Sequence, residues 1–161
     1  MGEFSESAGK PVVGAPWQVL LVDGCGDSRK ALAEFFLAST DFKVVGSAGS
    51  FPVAKRFLTR YLPDLLVVDP LSLAEKERES PLVLLRQFLR TRPTAMLVTT
   101  GDKHGALHRG LLGSDFSEVV RKPNLSCQRD ASYIRDFLDI ARMLVKRVQR
   151  ASPPSFEDLS Q

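Results

Sequence analysis

Short runs of consecutive apolar residues alternate with amphipathic segments through most of the chain. The apolar runs predict strands at Gln18–Val22, Lys43–Ala48, Asp64–Val68, Ala95–Thr99 and Ser117–Arg121. Three of these runs lack polar alternation, which is typical of strands that are buried on both faces of a parallel sheet. Apolar residues at helical spacing predict helices at Ser28–Ala38, Pro52–Tyr61, Pro81–Thr91, Lys103–Leu112 and Asp130–Arg150.

Alternating strands and helices of these lengths predict an α/β fold with one doubly wound parallel sheet. We expect the flavodoxin-like (βα)5 arrangement, with the strand order 2-1-3-4-5. Residues 1–16 are polar and rich in glycine and proline, so they are interpreted as a flexible leader. Residues 17–150 form the predicted domain with a long last helix, and residues 151–161 form a predicted disordered tail.

Composition and charge narrow the class of protein. The chain has 161 residues, 43% of them hydrophobic and 25% charged, which is ordinary for a globular domain. A net charge of +3 is too small to indicate a nucleic-acid partner. The two cysteines, Cys25 and Cys127, are interpreted as reduced thiols in a cytoplasmic protein. No apolar run is long enough to predict a membrane span.

Polar residues stand where several predicted strands end. Asp23 follows the first strand, Asp69 follows the third, Thr99 ends the fourth and Lys122 follows the fifth. The carboxyl ends of parallel strands are where ligand chemistry collects, so these side chains are expected to share one pocket. Phosphoryl transfer to a carboxylate needs a nucleophile, a bridging cation and a fixed positive charge. The alternative is that each aspartate only caps the helix that follows it.

Five segments together resemble the receiver domain of bacterial response regulators, and the receiver of chemotaxis methylesterases in particular. The segments are VLLVDGCGDSRKAL (Val19–Leu32), DFKVVGSAGSFPVAKRFL (Asp41–Leu58), PDLLVVD (Pro63–Asp69), LVTT (Leu97–Thr100) and RKP (Arg121–Pro123). The resemblance implies that Asp69 is the phosphoacceptor and that Asp23 and Asp69 are ligands of Mg²⁺. It also implies that Thr99 and Lys122 contact the phosphoryl group.

The chain departs from the receiver pattern at several positions. Gly24 stands where the family has a second acidic Mg²⁺ ligand, so Mg²⁺ is expected to bind weakly if at all. Restoring a carboxylate with Gly24→Asp is expected to increase the response to the metal. Pro70 and a charged loop at Leu71–Ser80 replace the usual residues after the phosphoacceptor. Val119 falls at the aromatic switch position, and a β-branched side chain there has little rotamer freedom.

Other residues are candidates for replacement ligands or separate sites. The carboxylates of Asp27, Glu75 and Glu77 are candidate substitutes for the missing metal ligand. The segment Gly24–Gly26 lacks the further glycine of a dinucleotide fingerprint, because Arg29 stands there. Cys25 is a candidate reactive thiol near a helix start. His104 and His108 have a zinc-like spacing, but solvated surface histidines explain them more simply.

The resemblance implies a stand-alone, receiver-like signalling domain of a two-component or chemotaxis-type pathway. The departures favour a pseudo-receiver that is not an enzyme and acts mainly by protein–protein contact, with weak or no phosphorylation. Its expected partner is a histidine kinase, a chemotaxis-type protein or an output protein, and its last helix is a candidate homodimer contact. One alternative is a conventional Mg²⁺-dependent phosphoacceptor that uses Asp69. Another is a flavodoxin-like domain that binds a nucleotide or phosphate.

Overall fold

The structure is a computed structural model, and it describes most of the predicted domain. The described residues are 14–74, 92–101, 116–122 and 130–151, together with the single positions Val83, Leu85, Gln87 and Arg90. Most of the predicted leader and tail, and the predicted helix at Lys103–Leu112, lie outside these residues. Glu75, Glu77, His104, His108 and Cys127 also lie outside the described part of the chain.

The described strands form one parallel sheet of five members. They are β1 (Trp17–Val22), β2 (Phe42–Ala48), β3 (Leu65–Val68), β4 (Ala95–Thr100) and β5 (Ser117–Arg121). Their order is β2-β1-β3-β4-β5, and every neighbouring pair is parallel. The predicted flavodoxin-like fold and strand order are therefore confirmed, and each predicted strand boundary lies within one residue of the observed one.

Three of the described helices begin and end within two residues of the predicted positions, whereas the short helix after β3 was not predicted. The bounds of the predicted helix at Pro81–Thr91 lie outside the described residues. The described helices are α1 (Gly26–Leu37), α2 (Phe51–Arg60), α3 (Pro70–Ala74) and the C-terminal helix (Ala131–Ala151). Ser50 caps α2, because its side chain accepts a hydrogen bond from the Val53 N–H. The C-terminal helix includes Ala151, the first residue of the predicted tail. Among the described residues, no helix combines the length and apolar character needed to cross a bilayer.

Helices on both faces of the sheet bury two apolar clusters. On one face, Val19 and Leu21 of β1 pack with α1 and the C-terminal helix. On the other face, Leu20 and Val22 of the same strand pack with α2 and with Leu73 of α3. Successive strand residues point to opposite faces, so a strand covered on both faces must be apolar throughout. This explains why the central strands read as unbroken apolar runs.

The start of the predicted charged loop at Leu71–Ser80 is helical in the structure. α3 begins at Pro70, directly after the third strand's aspartate. Proline is favoured in the first turn of a helix because its fixed φ suits the helix and its missing N–H costs nothing there. The loop prediction was therefore wrong for Leu71–Ala74, and a short helix packs beside the strand ends instead.

Candidate functional site

The strand ends bring the candidate side chains to one edge of the sheet. Asp23 directly follows β1, Asp69 directly follows β3 and Lys122 directly follows β5. The backbone N–H of Asp69 donates to the Val22 carbonyl at 3.0 Å, and that of Lys122 donates to the Thr100 carbonyl at 2.7 Å. Asp23 is 1% exposed and Asp69 is 5% exposed. The sheet thus places two buried carboxylates beside one lysine.

The Lys122 ammonium lies between the two carboxylates. Its Nζ is 2.7 Å from Asp69 Oδ2, as a hydrogen bond and ion pair, and 2.8 Å from Asp23 Oδ2. The second contact is an ion pair without the direction of a good hydrogen bond. Burial acts to lower the pKa of Lys122, but the two carboxylates outweigh burial, so the pKa is raised. The lysine therefore stays charged and neutralises two anions that would otherwise repel each other.

The second oxygen of the Asp69 carboxylate caps α3. Asp69 Oδ1 accepts hydrogen bonds from the N–H groups of Leu71, at 3.1 Å, and Ser72, at 3.4 Å. This is the contact of an N-cap residue with the first turn of a helix. Both oxygens of the candidate phosphoacceptor therefore have partners within the protein. Asp69 therefore fits both interpretations of the sequence, because it caps the following helix and also lies in the shared pocket.

Asp23 has a similar local contact. Its Oδ1 accepts a hydrogen bond from the Cys25 N–H at 2.8 Å, which forms a tight turn before α1. The Arg29 guanidinium donates to the Asp23 backbone carbonyl. The turn that leaves β1 is thus held by the carboxylate that the resemblance assigns to the metal.

Gly24 lies against the backbone of α3. Its N–H donates to Ser72 Oγ at 2.8 Å, and the same hydroxyl donates to the Asp69 carbonyl at 2.8 Å. A Cβ built on Gly24 would lie 3.0 Å from the carbonyl carbon of Ser72 and closer still to its oxygen. The space for a side chain at this position is therefore filled, and the expected increase of the metal response in Gly24→Asp stays a prediction.

Thr99 and Val119 lie in neighbouring strands of the sheet. Thr99 is fully buried in β4, and its hydroxyl donates a long hydrogen bond of 3.5 Å to the Val68 carbonyl. Val119 lies in β5, where it pairs with Val98 and packs against the apolar cluster on the α2 face. A partly buried β-branched residue in a strand has few alternative rotamers. Neither residue supplies a further charge to the pocket.

The present contacts of the two carboxylates would compete with a resident Mg²⁺ ion. Magnesium needs near-octahedral oxygen ligands and usually takes them from one or two carboxylates with waters and phosphate. Here each oxygen of Asp23 and Asp69 already contacts an N–H group or the Lys122 ammonium. Asp27 is exposed in the first turn of α1. Within the described ranges, no three His, Cys, Asp or Glu residues are grouped as a metal ion would require.

Two features of the site were missed by the sequence analysis. Ser72 falls in the predicted loop, although Asp69-Pro70 followed by a serine is a helix-start pattern that could have placed it. The position of Ser72 against Gly24 depends on how α3 packs beside the β1 turn, and no local sequence signal reports that.

Known proteins similar in sequence are methylesterases. The chain is 30% identical over 141 residues to a protein-glutamate methylesterase/protein-glutamine glutaminase of Geobacter metallireducens, covering 86% of the chain and 38% of the relative. A protein of the same description from Xanthomonas euvesicatoria is 30% identical over 146 residues, covering 87% and 39%. The matched part of these relatives is their receiver. No family model matches the chain.

Solved structures with the same fold are receiver domains. The response regulator domain of Thermotoga maritima CheB superposes with a TM-score of 0.64 at 19% identity, covering 86% of this chain and 99% of that one. CheY6 of R. sphaeroides, solved in complex with the P1 domain of CheA3, gives a TM-score of 0.63 at 24% identity, covering 83% and 99%. The chain shares the fold of these domains, and Asp23, Asp69 and Lys122 lie at its strand ends as the resemblance implies. Its sequence resembles the receiver part of the methylesterases, as predicted.

Proposed function

We propose that the chain is a receiver-like signalling domain that acts mainly through protein–protein contact, with weak or no phosphorylation of Asp69. The proposal deepens the coarser finding that receiver-type signalling suits this fold. The chain spans 38% of the length of a methylesterase that it matches. The activity proposed for this part is binding rather than catalysis.

The observation that carries the proposal is the engagement of both oxygens of Asp69. An attacking carboxylate needs a free lone pair in line with the phosphorus atom and a cation on the phosphoryl oxygens. Asp69 Oδ2 is 2.7 Å from the Lys122 ammonium, and Oδ1 caps α3. Each carboxylate oxygen has two lone pairs, so Oδ2 keeps one beside the Lys122 contact, but the ammonium and the cap of α3 restrict how Asp69 can present it to a phosphorus atom. The missing acid at Gly24 removes a further source of cation affinity.

A histidine kinase, a chemotaxis-type protein or an output protein is the proposed partner. The similar CheY6 domain forms a complex with the P1 domain of CheA3, which supports a protein partner of this general kind. The C-terminal helix, with Met143 37% exposed on its surface, is the proposed contact of a homodimer. The setting of such a pathway is cytoplasmic, and neither nucleic acid nor membrane is needed for it.

Labelling with a small-molecule phosphodonor tests the proposal. The purified chain is incubated with acetyl phosphate and Mg²⁺, and the phosphorylated fraction is measured by intact mass. We expect no Mg²⁺-dependent adduct above that of Asp69→Asn. A receiver domain of known activity is the positive control, and Asp64→Asn, at the opposite end of β3, is the matched substitution control. Stoichiometric label that disappears in Asp69→Asn alone would overturn the proposal.

The second candidate is a conventional phosphoacceptor that uses Asp69. It is favoured by the assembly of Asp23, Asp69 and Lys122 in one buried pocket at the carboxyl edge of the sheet. In that case Lys122 would move from the carboxylates to the phosphoryl group, and an Mg²⁺ ion would have to displace existing contacts. The phosphodonor experiment separates the two candidates.

A further inference from the structure

We propose that Gly24 and Ser72 form an interlock that closes the second acidic position of the pocket by steric occupation. The inference rests on the proposed function and goes further, because it assigns the loss of metal binding to filled space as well as to a missing charge. Ser72 is then a positioning residue, and α3 is held against the turn that leaves β1. A single acidic substitution cannot reopen the site.

The Ser72 hydroxyl joins two strand ends. It accepts a hydrogen bond from the Gly24 N–H at 2.8 Å and donates one to the Asp69 carbonyl at 2.8 Å. The first group lies just after β1 and the second just after β3, and these two strands are paired in the sheet. One hydroxyl therefore ties both turns to the first turn of α3.

Space, and not backbone conformation, requires glycine at position 24. Among the described glycines, Gly14 is the one with a left-handed φ, so the conformation of Gly24 is open to any residue. A Cβ at Gly24 would nevertheless press on the carbonyl group of Ser72, with 3.0 Å to its carbon and less to its oxygen. Real Cβ atoms do not approach backbone so closely, and one of the two segments would have to shift.

The Ser72 carbonyl is not free to move away. Pro70 and Leu73, on either side of Ser72 in α3, are both buried, and Leu73 packs in the apolar cluster on the α2 face. The Asp69 carboxylate also holds the first turn of α3 through the N–H groups of Leu71 and Ser72. Relieving the contact would disturb this packing, because well-packed interiors yield little to extra atoms.

Two alanine substitutions test the effect of filled space apart from that of the missing charge, because alanine adds a Cβ without a carboxylate. Gly24→Ala adds one methyl group and no ligand. Gly26→Ala is its matched control two residues further on, at the start of α1, where a new Cβ meets only Arg29 at 3.7 Å. We expect Gly24→Ala to lower the Tm by at least about 5 °C and Gly26→Ala to change it by less than about 2 °C. Both are measured by thermal unfolding with and without Mg²⁺.

Gly24→Asp supplies the missing carboxylate. We expect it to be destabilised at least as much as Gly24→Ala and to show no Mg²⁺-dependent rise in Tm above wild type. If Gly24→Ala matches Gly26→Ala in stability, and Gly24→Asp gains a Mg²⁺ response, the interlock is wrong. That result leaves the proposed function standing, since the wild-type chain would still lack the acid. Phosphodonor labelling of the wild type would instead overturn the proposed function.

If the Gly24 variants do not fold, Ser72→Ala still tests the interlock. It removes the bridging hydroxyl without adding atoms, and Ser47→Ala, at an exposed position in β2, is its control. We expect Ser72→Ala to lower the Tm by about 3 °C or more, and Ser47→Ala to leave it within about 1 °C. Equal Tm values for the two serine variants would overturn the role of Ser72.

Discussion

Lys122 holds its ammonium between two carboxylates that are almost completely buried. Without it, Asp23 and Asp69 would face each other as uncompensated anions. Removing one partner of a buried ion pair costs more than the pair contributes, because a charge is left without water or a counter-charge. The lysine therefore acts as a fixed cation of the pocket, in the absence of any transferred phosphoryl group.

We expect Lys122→Met to lower the free energy of unfolding by about 2 to 4 kcal/mol, below the full cost of a buried pair because the lysine is partly exposed. Urea unfolding at neutral pH measures this loss. Lys146→Met, at an exposed position of the C-terminal helix, should cost less than about 0.5 kcal/mol. Adding Asp23→Asn to Lys122→Met should restore part of the loss. A cost below about 1 kcal/mol for Lys122→Met would mean that the contact contributes little.

The reactivity of the Cys25 thiol is a second property that can be measured close to the pocket. The thiol is exposed at the start of α1, and it does not cap the helix with a side-chain hydrogen bond. The Ser28 hydroxyl, followed by the Ser28 N–H, nevertheless lowers the pKa of Cys25 below its ordinary value of 9.0. In a Cys127→Ser background, we expect the alkylation rate by iodoacetamide to reach half its maximum below pH 9.0. Ser28→Ala should move that midpoint upward, and an unchanged midpoint would contradict the assignment to Ser28.

Among the helices, the C-terminal helix is attached to the sheet edge by an aromatic residue. Tyr133 donates its hydroxyl hydrogen to the Arg121 carbonyl, and its ring lies against Phe35 and Phe137. Burial raises the pKa of Tyr133 to about 12, from 10.0. A raised folded-state pKa means that this contribution to stability is complete below pH 10 and is lost as the pH rises through about 12.

We expect Tyr133→Phe to flatten the alkaline loss of stability between pH 10 and 12. At pH 7 the variant should lose about 1 kcal/mol, because the Arg121 carbonyl loses its donor. Thermal unfolding as a function of pH checks both effects, and absorbance titration at alkaline pH should lose its highest-pH component. Part of the alkaline slope should remain, because the raised pKa of Lys122 acts in the same direction. An identical slope in wild type and variant would contradict the assignment.

Secondary structure was predictable from the sequence where a single pattern decides it. The central strands were identified because burial on both faces demands continuous apolar residues, and α2 was identified by apolar residues at helical spacing. α3 was missed because its five residues are too few for an apolar period to show. The sequence does contain a helix-start signal at Asp69-Pro70. Pro70 was instead interpreted as a departure from the receiver pattern.

The complete domain shows why the site was only partly predictable. Strand order fixes which chain positions meet at the carboxyl edge, so Asp23, Asp69 and Lys122 could be grouped in advance. How tightly α3 approaches Gly24 depends on how Leu73 packs in the apolar cluster on the α2 face, which no local pattern reports. The sequence therefore indicated a deficit of charge, and the fold adds a deficit of space.

We expect Mg²⁺, the ion that the receiver resemblance implies, to stabilise the folded domain only weakly. A ligand that binds only the folded state stabilises it by RT ln(1 + [L]/Kd), so about 10 mM Mg²⁺ with a Kd near 10 mM would add only about 0.4 kcal/mol. For a chain of this size we expect a rise in Tm of about 1–2 °C at most, with or without beryllofluoride.

Asp23→Asn should abolish even that rise if the pocket is its source, whereas an equal rise in Asp23→Asn would reflect general ionic screening. A wild-type rise of more than about 5 °C that Asp23→Asn removes would show that Mg²⁺ displaces Lys122 readily. The pocket would then be a working cation site, contrary to the contacts that fill it here.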